Sequence, residues 1–159
     1  MEIVIYFTLA WLVCMTIFLL PKPLSPIENV FLFFIISLAI KNSFSIVGVN
    51  LKLIEPSTKH VLFIAYILYR TIIYPGTLLI VTNILFSHLP AKTKGLLLGL
   101  GILFIFSVEN LGEYLHLYKY VKWNNWYNTL EIFILFMICI VTSRIIMKVH
   151  RKEKAIESL

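Results

Sequence analysis

The chain has 159 residues, 60% hydrophobic and 14% charged, with a formal net charge of +6 and a mean hydropathy of +0.91. Soluble domains carry about 25% charged residues, so this chain lacks the polar side chains to clothe a core in water. Composition excludes an ordinary soluble globule and points to an integral membrane protein.

Five continuous apolar runs cover about 3–20, 27–47, 61–86, 95–118 and 127–147. Each approaches the ~20 residues that a helix needs to cross ~30 Å of hydrocarbon. Barrel strands fit poorly, because the runs are continuous rather than alternating. The expected fold class is all-α: one polytopic bundle of five transmembrane helices over 1–159, ending in a basic tail over 148–159.

The first run begins MEIV, without a basic leader, and PKPLSP follows it instead of a small-residue cleavage site. It is expected to be a retained helix. Pro21, Pro23, Pro26, Pro56 and Pro90 fall in connections, where a missing amide proton costs little. Lys41 and Asn42 join the membrane layer if the second run extends to Gly48. In the third run, RTIIYPGT places Pro75 where an amide would bond the carbonyl of Thr71, so a helix kink is expected there.

The fourth run leads into SVENLGEYLHLYKY. At about 100° per residue, Glu109, Glu113 and His116 share one helix face, with Asn110 one step round. Gly95-x-x-x-Gly99 offers a close helix contact. In YVKWNNWYN, Trp123, Trp126 and Tyr127 are expected as interfacial aromatics, or alternatively as the roof of a pocket. The fifth run carries Glu131 and closes in SRIIMKVHRKEKAIESL. Arg144, Lys148 and Arg151 fall on one stripe, where each basic residue gains about 1 kcal/mol against anionic lipid. The expected partner is the bilayer itself, with anionic lipid at this tail. The tail also offers a membrane-protein partner a docking place, whereas nucleic acid would need a soluble domain to display the charge.

Depth arithmetic connects the polar residues. Counted inward from Lys119 and from His60, Glu109 and Arg70 each lie ten residues deep, roughly 15 Å at 1.5 Å per residue. Charges at that depth are expensive and find partners, so Arg70 and Glu109 are expected to pair. Glu131 is expected level with Glu113. Glu113-x-x-His116 has a spacing used in di-iron bundles, but those sites need two such motifs and further carboxylates. The chain holds one copy and no aspartate, so no metal or cofactor is assigned. Cys14 and Cys139 lie near the middle of their runs and read as small apolar residues.

Basic residues set the orientation. With five crossings, one side collects Lys22, Lys92, Lys94, Arg144, Lys148, Arg151, Lys152 and Lys154, and the other Lys41, Lys52, Lys59, Lys119 and Lys122. The majority places the C-terminus in the cytoplasm and the N-terminus outside.

Residues 60 to 152 resemble a family of small, uncharacterised multi-pass membrane proteins from spore-forming Gram-positive bacteria. The likeness rests on Glu109 within the penultimate span, the aromatic turn at Trp123, Trp126 and Tyr127, a last span closing in Arg144 and His150, and Arg70 ahead of Pro75. It implies a bacterial cytoplasmic membrane and no particular activity. Three readings of the polar layer stay open. The first is a non-enzymatic protein whose layer stabilises the bundle and binds a small polar or cationic ligand. The second is a proton-coupled or cation transporter using Arg70, Glu109 and Glu113. The third is an intramembrane enzyme acting on lipid or using a metal.

Overall fold

The computed structural model describes residues 1–20 and 23–157, with side chains up to residue 149 apart from position 125. Five helices dominate it: Glu2–Leu19, Pro26–Asn50, His60–Phe86, Ala91–Tyr114 and Asn125–Glu157. All five are long and apolar enough to cross a bilayer, and the fold is an all-α bundle. Its outward surface is apolar, with Phe7, Phe18, Phe31 and Phe133 each 58–78% exposed. Soluble monomers rarely show such extended apolar faces.

The third helix is central. Two-thirds (67%) of its apolar window is buried, against 17–28% in the other four, and it packs on every other helix. Its neighbours turn single stripes toward it: Tyr6, Ala10 and Val13 from the first helix, and Leu32, Ile36 and Ile40 from the second. Gly76 permits the close approach of the first helix, since a Cβ there would sit 2.5 Å from Val13 Cγ1. The contact expected of Gly95 and Gly99 does not occur, because nothing lies within 4 Å of a Cβ at either position. The glycine of the fourth helix that meets the third is Gly101, against Val81.

Local sequence explains the helix ends. A capping box opens the second helix: the Glu28 amide donates to Ser25 Oγ and the Ser25 amide donates to the Glu28 carboxylate. Pro26 occupies the first turn, where its missing amide is harmless. The helix closes in a π-helical stretch, Ser45–Asn50. Ahead of Pro75 the third helix widens into a π-helical turn over Tyr69–Ile73. One extra residue per turn absorbs the disruption that a proline brings. It also changes which side chains share a face, and Tyr66, Tyr69, Ile73 and Tyr74 are all buried.

The fourth helix stops at Tyr114 rather than running to 118. The Leu117 amide donates to the Gly112 carbonyl (2.9 Å) and the His116 amide to the Glu113 carbonyl (3.0 Å), which is a Schellman ending. His116 takes the left-handed position usually given to glycine, with φ 58°. The chain then enters a short strand, β2 (Tyr118–Tyr120), antiparallel to β1 (Ile54–Pro56). Glu55 stands opposite Lys119 in this ribbon, a favourable cross-strand pair. The ribbon closes one end of the bundle by tying the loop after the second helix to the loop after the fourth.

Candidate functional site: a charged layer inside the bundle

Arg70 lies within the π-helical turn of the third helix, its side chain only 10% exposed. Its Nη1 donates to Glu131 Oε1 at 3.1 Å, and Ser43 Oγ donates to the same oxygen at 2.8 Å. The second, third and fifth helices therefore meet at one carboxylate. Four rings surround the guanidinium, with centroids 5.7–5.9 Å away: Phe44, Tyr66, Tyr69 and Tyr74. Their faces stabilise the cation where water does not reach it.

Glu109 enters from the fourth helix and is 3% exposed. Its carboxylate accepts no hydrogen bond from any described residue, and Oε2 is fully enclosed. Arg70, Glu131 and Glu113 are near enough to act on its charge. The hydroxyls of Tyr66, Tyr69 and Tyr74 are also buried without partners. Tyrosines are instead bonded to the backbone on the ribbon side of Glu109. Tyr118 donates to the carbonyl of Glu109 at 2.6 Å, and Tyr6 to that of Val108 at 3.1 Å. Gly112 makes room for both rings, since a Cβ there would fall 2.9 Å from Tyr118 and 3.1 Å from the Tyr6 hydroxyl.

The layer therefore holds one cation and two carboxylates. Glu131 takes the cation, and Glu109 is left over. This differs from the expected pairing of Arg70 with Glu109. Glu109 and Arg70 share the layer, but Glu131 of the fifth helix is the carboxylate that the guanidinium reaches. Glu131 is joined to Arg70 rather than set beside Glu113.

The rest of the expected ladder is dispersed. Asn110 is exposed and bonds its own helix at the Phe106 carbonyl, 2.7 Å away. Glu113 and His116 are exposed, and His116 lies beyond the helix end. Both line an open cavity of about 490 Å³ beside the ribbon, together with Glu55, Lys119 and Tyr118. Tyr118 forms a wall of that cavity, and its hydroxyl donates to the main-chain carbonyl of Glu109. Burial, with the Tyr120 phenol and the Glu109 charge behind it, pushes the Tyr118 hydroxyl well above the ordinary phenol range. It remains a donor at any physiological pH.

Trp123 donates from Nε1 to Asn128 Oδ1, and Asn128 Nδ2 donates to the Tyr120 hydroxyl at 2.7 Å. Trp123 also packs on Tyr127, with centroids 5.2 Å apart. These contacts tie β2 to the start of the fifth helix. Trp126 is 79% exposed and Tyr127 51%, and none of the three aromatics lines the cavity that holds Glu113. The second helix does continue past Gly48, yet Lys41 and Asn42 are exposed and Ser43 is the residue that enters the layer.

Sequence reasoning also missed an amide pair. Asn83 Nδ2 donates to Asn29 Oδ1 at 2.7 Å, joining the third and second helices away from the charged layer. The signal was present, since a buried amide inside an apolar run such as VTNILF requires a partner. Nothing comparable marked Ser43. Among the described residues no three His, Cys or Glu side chains are placed to hold a metal. Cys14 and Cys139 are free thiols. In the basic tail Arg144 and Lys148 are exposed, while Lys22 and the side chains of His150, Arg151, Lys152 and Lys154 lie outside the described residues. Comparison with protein-family models, curated proteins and solved structures finds no match.

Proposed function

We propose that the chain is a non-enzymatic multi-pass membrane protein whose charged layer has two separate roles. Arg70, Glu131 and Ser43 hold three helices in register, and Glu109 takes up a proton or a small cation. The observation carrying this reading is the Glu109 carboxylate, buried without a donor in a layer whose cation is already paired. An uncompensated charge in low-dielectric surroundings costs several kcal/mol, and a bound proton or cation relieves that cost. The test compares wild type with Glu109→Gln in lipid vesicles, measuring proton uptake with a pH-sensitive dye and cation binding by isotope retention. Uptake by wild type alone supports the reading, and identical behaviour of the two proteins refutes it.

The setting we propose is a bacterial cytoplasmic membrane, with the N-terminus outside and the C-terminal tail on cytoplasmic anionic lipid. The distribution of basic residues supports it. A C-terminal reporter active only outside the membrane would overturn it.

One observation favours proton-coupled or cation transport as a second reading. The open cavity beside the ribbon reaches Tyr118, whose hydroxyl donates to the main-chain carbonyl of Glu109. Tyr118 then stands where an access route would be closed. Flux under an imposed proton, sodium or potassium gradient, lost in Glu109→Gln, distinguishes transport from uptake alone.

A further inference from the structure

A second feature, whose lining does not include Glu109, lies on the lateral surface of the bundle. Between the second and third helices a groove of about 310 Å³ opens sideways. Phe34, Leu38, Lys41, Phe63 and Ile67 form its exposed rim. These residues sit well inside helices that are long and apolar enough to cross a bilayer, so the mouth of the groove faces hydrocarbon rather than water. Volumes of ~300 Å³ and above accommodate small ligands. Walls so apolar exclude a polar solute.

Charge narrows the choice of occupant. The lining includes Lys41 and Arg70 and no carboxylate. Two of its lining residues carry a buried polar atom without a partner, Ser37 Oγ and Arg70 Nε. The Arg70 charge is met by Glu131, whereas Lys41 forms no ion pair with any described residue. Lys41 lies nine residues before Asn50, the end of its helix, or about 13 Å at 1.5 Å per residue. Its flexible stem allows the ammonium to rise toward headgroup level while the methylenes stay on apolar surface.

We propose that this groove holds one acyl chain of an anionic phospholipid, whose phosphate is drawn to Lys41. A zwitterionic lipid fits the apolar walls equally well but brings no net charge to match the lysine. Glu109 is not part of the groove's lining, and the proposal does not rest on proton uptake there.

Tryptophan quenching by chain-brominated lipid tests the proposal in reconstituted vesicles. Phe34→Trp places a reporter on the rim, and the wild-type signal from Trp11, Trp123 and Trp126 is subtracted. Brominated phosphatidylglycerol is expected to occupy the site about fivefold more strongly than brominated phosphatidylcholine of the same chains, the gain of one basic residue near an anionic headgroup. Adding Lys41→Gln should bring the ratio close to one, and Lys41→Arg should keep it. Equal quenching by the two lipids, or a preference that survives Lys41→Gln, overturns the proposal. Brominated oleate binding as strongly as phosphatidylglycerol would also overturn it, assigning the groove to a single-chain fatty acid.

Discussion

Replacing either of the two buried carboxylates by its amide should have very different consequences. Glu131→Gln removes the charge that compensates Arg70, whose side chain is 10% exposed and ringed by four aromatics. Stranding one member of a buried pair costs about 3–5 kcal/mol. The lower end applies here, because a glutamine oxygen can still accept from Ser43 and Arg70. Glu109→Gln removes a carboxylate that accepts no hydrogen bond from any described residue, so its cost should lie within about 1 kcal/mol of zero. At about 2–4 °C per kcal/mol for a chain of this size, Glu131→Gln should lower the melting temperature by about 6–12 °C and Glu109→Gln by less than about 4 °C. A thiol-reactive fluorophore reads this directly, since Cys139 is 1% exposed and becomes reactive on unfolding. Equal losses in the two variants, or a loss confined to Glu109→Gln, would refute the assignment of Glu131 as the structural partner.

Three further outcomes follow from the geometry. Gly112→Ala should destabilise by about 1–3 kcal/mol in the same thermal assay, because the new methyl crowds Tyr118 and the Tyr6 hydroxyl. Asn83→Leu breaks the amide pair with Asn29 and should cost about 0.6–2 kcal/mol, the range for hydrogen bonds between membrane helices. His116→Gly relieves a left-handed residue at φ 58° and should stabilise by about 1 kcal/mol, while leaving proton uptake at Glu109 unchanged.

The helices were legible because hydropathy and length report directly on burial in hydrocarbon, and all five runs correspond to helices of the bundle. Their ends were less so. The fourth apolar run reaches 118, yet a Schellman turn with histidine in the glycine position ends the helix at Tyr114. That ending carried His116 out of the expected ladder. Pairing choice was not legible at all. Arg70 had two buried glutamates within its layer, and no residue pattern distinguishes Glu131 from Glu109 as its partner. The ribbon of Ile54–Pro56 with Tyr118–Tyr120 was hidden for a related reason. Strands of three residues are too short to show alternation, and their partners lie more than sixty positions apart.

The central claim concerns the state of one carboxylate, and difference infrared spectroscopy in lipid observes it. The account predicts a protonated-carboxyl carbonyl band that titrates in wild type, persists in Glu131→Gln and is absent from Glu109→Gln. If a cation occupies the site instead, that band should be displaced by the cation at constant pH, again only where Glu109 is present. A titrating band unchanged in Glu109→Gln, or no Glu109-dependent signal with either protons or cations, would contradict the account.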